Sequence, residues 1–502
     1  MQKRETWGSR TGFIMAAVGS AIGLGNIWRF PYMVYENGGG AFLIPYFVAM
    51  LAAGIPFMIL EFGLGQKFKG SAPKTFASIS KRWEWLGWWQ VMVAFIITTY
   101  YVVVIAWAIN YLVLSFTQGW GDAPKDFFFG QFLGLTDSPM NLGSVQSSIF
   151  SATAAAWFFT FIAVFTGVKS GIERVSKIFM PLLFILVFIF IGRGLMLPGA
   201  TEGLNWLFKP DFSAIMNGKV WADAFGQIFF SLSIGFGIML AYSSYLPKDS
   251  DINNNACMTV FINCGFSIIS GIMIFSVLGY MAQQQGVPVS EVAGSGVGLA
   301  FITLPTAINL MPAPVFFGVL FFLALVVAGL SSMISLCEVT VSALIDKLNI
   351  TRKVAASIIC ALGFMVSIAF TTGGGLLLLD IVDHFVNNFG ILIGGFIEII
   401  FVAWLCDIED LREHVNKTSE IKVGSMWTNS LRFIVPTMLG IMLVMNFVGD
   451  ISENYGGYSN AAIMAFGWSL LVVFLATALL LSRKEYAFAG ILGKNKSFLK
   501  RR

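Results

Sequence analysis

The sequence predicts an all-α integral membrane protein with about twelve transmembrane helices. Three observations predict it. The 502 residues are 57% hydrophobic and 12% charged, where soluble domains carry about 25% charged residues. Apolar runs of about 20 residues, the length that crosses a bilayer, recur along the chain. Lys and Arg gather in alternate short loops, as they do on the cytoplasmic side of membrane proteins.

The apolar runs fall near 11–35, 40–64, 87–115, 147–168, 172–197, 221–246, 255–285, 314–346, 352–371, 376–406, 428–449 and 460–482. The stretch around 290–310 reads as a short re-entrant or surface helix. Lys3, Arg4 and Arg10 precede the first run, and Lys67, Lys69, Lys74, Lys81 and Arg82 follow the second. Lys169, Arg174 and Lys177 separate the fourth and fifth, and Lys347, Arg352 and Lys353 the eighth and ninth. Arg483, Lys484, Lys494, Lys496, Lys500, Arg501 and Arg502 close the chain. With twelve spans these all lie on one side, so both termini are expected in the cytoplasm and the protein in a plasma (inner) membrane. The sequons at Asn349, Asn416 and Asn495 then lie inside and carry no glycan.

Composition also excludes. There are two histidines, His384 and His414, so a histidine metal or catalytic cluster is not expected. The five cysteines lie in or beside apolar runs without a CxxC pair, and no cleavable signal peptide is apparent. No Ser–His, HExxH or GxGD pattern suggests an enzyme. A net charge of +4 gives no case for nucleic acid.

Two runs contain helix breakers in corresponding places: "GSAIGLGN" (Gly19 to Asn26) in the first and "SLSIGFG" (Ser231 to Gly237) in the sixth. A unit of five spans, repeated, comes out upside down the second time. Inverted repeats with discontinuous helices are a transporter pattern. Non-helical backbone at bilayer depth persists where it lines a cavity or is buried in protein. Freed carbonyls there can hold a cation, and half-helix N-termini a carboxylate.

"GNIWRFPY", "NGGGAFLIPY" and "FFSLSIGFG" resemble the neurotransmitter:sodium symporter family, of LeuT fold, and the resemblance runs from about Trp7 to the end. It implies a 5+5 inverted repeat over 11–197 and 221–406, two added helices at 428–482, a cytoplasmic segment 1–10 and a basic tail 483–502. It implies one or two sodium ions. One site takes Ala21, Asn26, Ser231 and Asn263, completed by the substrate carboxylate; the other takes Gly19, Ile22, Ala328, Ser331 and Ser332. Hard cations suit such oxygen ligands. The substrate pocket it implies is Ala21, Gly23, Leu24, Gly25, Ile97, Tyr101, Phe230, Ser231, Ser233, Phe236, Ser332 and Leu336. Monoamine carriers of the family have aspartate where this chain has Gly23. Glycine implies an amino acid that brings its own carboxylate, with a small or medium neutral side chain.

Many prokaryotic relatives have an acid at the position of Ser267, and chloride-dependent animal relatives have serine. Two sodium ions against one zwitterion leave excess positive charge in a low dielectric. Chloride is therefore expected at Tyr46, Gln227, Ser231 and Ser267. The other source of negative charge is Glu61 or Glu338, which read as a buried acid pair. The resemblance also implies an outer gate, Arg29 with Asp383, and an inner latch, Arg4 with Asp346, near Trp7, Ser244 and Tyr245. Asp380 has no assigned role.

The expected function is sodium-coupled import of a neutral α-amino acid by alternating access, as a monomer or dimer in the bilayer. The same fold carrying GABA, taurine, betaine or glycine remains open, as does an amino-acid receptor or channel without active transport.

Overall fold

A chain that crosses hydrocarbon must satisfy its backbone polar groups internally, and an unbroken apolar run does so as a helix. The computed structural model describes residues 4–209, 212–292, 296–487 and 498–499, and their apolar runs are helical. α1 (Arg10–Ala21) and α2 (Gly25–Glu36) are bent by 55° and form the first predicted span. α3 (Gly40–Phe68), the short α4 (Ala72–Ile79) and α5 (Lys81–Leu114) follow. Next come α6 (Ser147–Phe165), α7 (Val168–Gly194) and the short α8 (Ala200–Phe208). α9 (Gly218–Ser231) and α10 (Ile238–Ser243) flank the second break. α11 (Ile252–Gln285), α12 (Leu299–Leu310), α13 (Pro314–Leu348), α14 (Arg352–Thr371) and α15 (Gly375–Leu405) continue the chain. α16 (Ile408–Thr418), α17 (Ser425–Gly457) and α18 (Asn460–Arg483) complete it.

Among the described residues ten helices are long and apolar enough to cross a membrane, and the α1–α2 pair makes eleven. The predicted span 221–246 is the second broken one. Its halves hold 14 and 6 residues, and 14 residues reach about 21 Å of a core about 30 Å thick. The protein is therefore an all-helical, multi-pass membrane protein. The expected short helix near 290–310 is α12. Most of the basic tail, with Lys494, Lys496, Lys500, Arg501, Arg502 and the sequon at Asn495, lies outside the described residues, as does Lys3.

Burial orders the helices around a centre. In α13, 78% of the most apolar window is buried inside the protein, against 28% in α17 and 22% in α18. α13 is thus the central post, and the last two helices sit at the periphery. α5 begins at Lys81, earlier than the expected 87. Its first turns carry Lys81, Arg82 and Glu84 among Trp83 and Trp85, charges that lower local hydropathy while the tryptophans suit a membrane interface.

The two breaks use glycine differently. At Gly23 an added Cβ would lie 2.8 Å from Ser332 Oγ and 3.0 Å from Tyr101 Oη, so glycine permits close approach of α1, α5 and α13. In the second break Gly235 and Gly237 have φ of 87° and 80°, the left-handed region that glycine enters without penalty. Ser233 sits there too, at φ 55°. Its hydroxyl donates to the Ser20 carbonyl at 3.1 Å, a bond that ties one break to the other.

Candidate functional site

A broken helix frees N–H and C=O groups that cost several kcal/mol each if left unpaired in a bilayer. The structure accounts for many of them. Gly23 N–H donates to Asn26 Oδ1 at 3.0 Å and Leu24 N–H to the Tyr101 hydroxyl at 3.2 Å. Gly235 N–H donates to Glu61 Oε1 at 3.0 Å. The Gly19, Ser20 and Ile22 carbonyls accept from Ser332 Oγ at 3.5, 3.1 and 3.4 Å.

The residues expected at the first cation site converge. Asn26 Nδ2 donates to Ser231 Oγ at 3.1 Å, Asn263 Oδ1 at 2.9 Å and Ser267 Oγ at 2.9 Å. Asn263 Nδ2 donates to Ser231 Oγ at 2.7 Å. All four residues are buried, and Ala21 ends α1 beside them. α2, α9 and α11 thus bring amide and hydroxyl groups together in one polar knot without a formal charge, with Asn26 presenting its amide nitrogen to it and its Oδ1 to the Gly23 N–H.

Next to the knot, polar atoms are left over. Among the described residues, the Tyr46 hydroxyl and both amide atoms of Gln227 are buried and make no hydrogen bond of ordinary geometry. Tyr46 Oη lies beside Ser267 and Cys264, and Gln227 is one turn from Ser231 on α9. An unmade bond at a buried polar group costs about 1–3 kcal/mol. The Tyr46 O–H, the Gln227 amide N–H groups and the Ser231 O–H are donors, so the set fits an anion.

Of the residues expected at the second cation site, Ser332 bridges α13 to the end of α1, while Ser331 and Ala328 bond to each other within α13. Ser332 Oγ touches the Gly19 and Ile22 carbonyls as above, and Ser331 Oγ donates to the Ala328 carbonyl at 2.8 Å. These are neutral oxygens, the donor type a hard monovalent cation takes.

Between the breaks lies a cavity of about 70 Å³, several times the roughly 10–15 Å³ one water needs. Ala21, Gly23, Gly25, Ile97, Tyr101, Phe230, Ser231, Ser233, Phe236, Ser332 and Leu336 all line it. Of the expected pocket only Leu24 does not. Its side chain packs near Gly329 and Ile105 of the scaffold, and its contribution is the N–H held by Tyr101. Ser20, Tyr100, Ile238, Ser335 and Ile391 line the cavity without having been expected, and Asn26 and Asp383 reach it as well. Ser335 was findable, since it follows Ser332 by three positions on one helix face.

The two gates differ. On the face carrying the N-terminus, Arg4 Nη1 donates to both Asp346 oxygens at 2.9 and 3.0 Å, and Nη2 to Ser244 Oγ at 2.7 Å. Lys74 and the Ser71 N–H reach the same carboxylate at 3.3 and 2.8 Å. Trp7 donates its indole N–H to the Tyr242 carbonyl at 2.8 Å and its backbone N–H to the Tyr245 carbonyl at 3.2 Å. At the opposite end Arg29 makes no ion pair with Asp383. Its guanidinium lies 4.3 Å from the Phe230 ring centroid, and one of its nitrogens is buried without a partner. Asp383 instead accepts from the Tyr100 hydroxyl at 2.7 Å and Asn387 at 2.8 Å. The N-terminal face is latched and the Arg29–Asp383 pair is apart.

The expected pairing of Glu61 with Glu338 is not found. Glu61 on α3 faces the second break and lies beside Glu398 of α15, which accepts from Gln90 at 2.6 Å. Glu338 on α13 is held by Arg352 at 2.6 and 2.8 Å and by the Tyr245 hydroxyl at 2.6 Å. The guanidinium neutralises Glu338, so it supplies no spare charge. Asp380 accepts from the Tyr455 and Tyr458 hydroxyls at 3.0 and 2.9 Å, which fastens the C-terminal end of α17 and the residue after it to α15.

Comparison with known proteins places this architecture. The profile of the sodium:neurotransmitter symporter family matches residues 4–123 and 120–486. The chain is 45% identical over 484 residues to an uncharacterized sodium-dependent transporter of Methanocaldococcus jannaschii, covering 96% of this chain and 98% of that one. It is 31% identical over 510 residues to the sodium-dependent dopamine transporter of Caenorhabditis elegans, covering 91% and 82%. It is 34% identical over 448 residues to the human sodium- and chloride-dependent creatine transporter 1, covering 80% and 70%.

Proposed function

The chain belongs to the sodium:neurotransmitter symporter family, and from that premise we propose that it imports a neutral, small-to-medium α-amino acid together with sodium and chloride. One observation carries the reading: two helix breaks, tied to each other by Ser233 and Ser20, face a single cavity lined by the ends of four half-helices. The N-terminus of α2, with the Tyr101 hydroxyl, presents donors to a carboxylate. The C-termini of α1 and α9 present carbonyls to an ammonium and to sodium.

The substrate carboxylate completes the cation site of Ala21, Asn26, Ser231 and Asn263. Ion and substrate each improve the other's site, and such coupling is reciprocal. Glycine at 23 brings no carboxylate of its own, so the ligand supplies the one that the Tyr101 hydroxyl and the α2 N-terminus meet. The second sodium sits at Gly19, Ile22, Ala328, Ser331 and Ser332 and fastens α1 to α13.

Two sodium ions and a zwitterion leave net positive charge at the centre. One uncompensated charge 4 Å away costs about 4 kcal/mol at an effective dielectric of 20. Chloride at Tyr46, Gln227, Ser231 and Ser267 offsets it. The unpartnered Tyr46 and Gln227 groups support that reading, and the taurine and creatine relatives are named as chloride-dependent.

Both termini face the cytoplasm of a plasma or inner membrane. The Arg4–Asp346 latch then closes the cytoplasmic path while Arg29 and Asp383 stand apart, a conformer from the outward-facing part of the cycle. Alternating access follows when the latch opens and the outer pair closes. α1–α2 and α9–α10 are the elements that hinge.

The test is uptake of labelled alanine and leucine into proteoliposomes under an inward sodium gradient, with chloride and then with gluconate. Accumulation that needs both ions supports the whole reading. Sodium-dependent uptake indifferent to chloride removes the anion site, and absence of sodium-driven uptake of any amino acid in a broad panel overturns the substrate class.

A further inference from the structure

Two hydroxyls at the cavity wall were not absorbed by the function above. Ser20 Oγ donates to Ser335 Oγ at 2.7 Å, and Ser335 Oγ donates to the Ser332 carbonyl at 2.7 Å. Both residues are buried and both line the cavity. The relay consumes both hydroxyl protons. Each hydroxyl oxygen has two acceptor lone pairs; Ser335 already accepts from Ser20 and lies against the Tyr242 hydroxyl, while among the described residues no group donates to Ser20 Oγ. Ser20 Oγ, held in place by Ser335, therefore keeps acceptor capacity at the cavity wall.

Its position fixes which part of a ligand it meets. Ser335 lies one turn along α13 from Ser332, about 5 Å, and it is Ser332 that stands with the Tyr101 hydroxyl around Gly23. Ile97, Phe236 and Leu336 add apolar surface to the same cavity. A short side chain that points here meets aliphatic and aromatic surface and one acceptor, Ser20 Oγ. A tie between α1 and α13 would explain the Ser20–Ser335 bond alone. It does not explain why the tie borders the cavity, since the Ser332 bonds to the Gly19, Ser20 and Ile22 carbonyls already join these elements.

We propose that Ser20 and Ser335 select an α-amino acid whose short side chain carries a hydroxyl, serine or threonine, over its isostere without one. The inference rests on the amino-acid transport reading above and sharpens it. The substrate hydroxyl donates to Ser20 Oγ. An alanine or valine in the same place leaves that acceptor buried and unpaired, and sites built for a hydroxyl reject the analogue that lacks it.

The test is sodium-driven uptake by the full-length protein in proteoliposomes, with serine against alanine and threonine against valine. The near-isosteric second pair isolates the hydroxyl. The expected result is half-saturation about tenfold lower for the hydroxyl member of each pair, the effect of one buried hydrogen bond. S20A and S335A bring the ratios toward one, a readout that a purely structural role would leave alone. Ratios near one in the unmodified protein overturn the proposal without any variant, and ratios unchanged in both variants overturn it as well. Sodium-driven uptake with no hydroxyl preference leaves the transport reading standing; no sodium-driven uptake of any of the four, or of the wider panel, takes both down.

Discussion

Replacing Gly23 by alanine is the sharpest perturbation of the site. The new Cβ would sit 2.8 Å from Ser332 Oγ and 3.0 Å from Tyr101 Oη. Tyr101 cannot withdraw without releasing the Leu24 N–H. Ser332 can rotate, but only by leaving the Gly19, Ser20 and Ile22 carbonyls. Overpacking of this kind costs about 1–3 kcal/mol, and each surrendered hydrogen bond about 1 kcal/mol. The groups displaced are those assigned to the substrate carboxylate and the second sodium, so most of the loss falls on binding. A penalty of about 2–3 kcal/mol raises the dissociation constant about 30- to 150-fold. Equilibrium binding of the labelled amino acid in saturating sodium measures it, with a thermal melt as control for folding. A folded Gly23→Ala variant that binds within twofold of the unmodified protein refutes the placement of the carboxylate.

Ser267→Glu puts a fixed negative charge at the anion site; uptake in gluconate should recover to the level seen in chloride, and continued chloride dependence counts against the site. Asp346→Asn removes the bidentate partner of Arg4. The pair is only partly buried, at 21% and 8% exposure, so its worth lies between the surface and buried extremes, about 1–3 kcal/mol. Amide hydrogen exchange at Trp7 and Gly8 should quicken about tenfold or more, and unchanged exchange argues against a latch. His414, on α16 outside the spans, has its pKa lowered to about 4 by burial and then by Lys67, with Lys69 and Lys417 adding and Asp410 opposing. The unfolded chain binds the proton more tightly, so this contribution is complete above the unfolded value near 6.5 and lost as pH falls toward 4. Melting temperature should drop between pH 6.5 and 4.5, and His414→Gln should flatten part of that slope.

Much of this was legible in the sequence, for physical reasons. Long apolar runs announce spans because hydrocarbon admits little else. The two breaks were legible because glycine clusters recur in corresponding places of two spans, with an Asn and serines beside them, where close helix packing alone does not call for a match. What glycine does there was not: Gly23 serves close packing, while Gly235 and Gly237 serve a left-handed turn, and only backbone geometry separates the two. The partner of Glu61 was hidden because Glu398 is remote in sequence, and Arg352, which opens α14 and holds Glu338, read only as a marker of topology. The state of the gates was also beyond reach. Arg29 and Asp383 are near one vestibule in any conformer, and a sequence does not say whether they touch. Ser20 lay inside the quoted first break and Ser335 one turn from Ser332, so both positions were findable, but the bond between them was not, because it joins residues remote in sequence.

The central claim is that substrate and sodium complete one another's site across the two breaks. The direct measurement is the amino-acid dissociation constant as a function of sodium concentration, in the purified protein at fixed chloride and ionic strength. The account predicts that affinity rises steeply with sodium, with a slope between one and two on logarithmic axes, and that the amino acid tightens sodium binding by the same factor. An amino-acid affinity that does not change with sodium contradicts it.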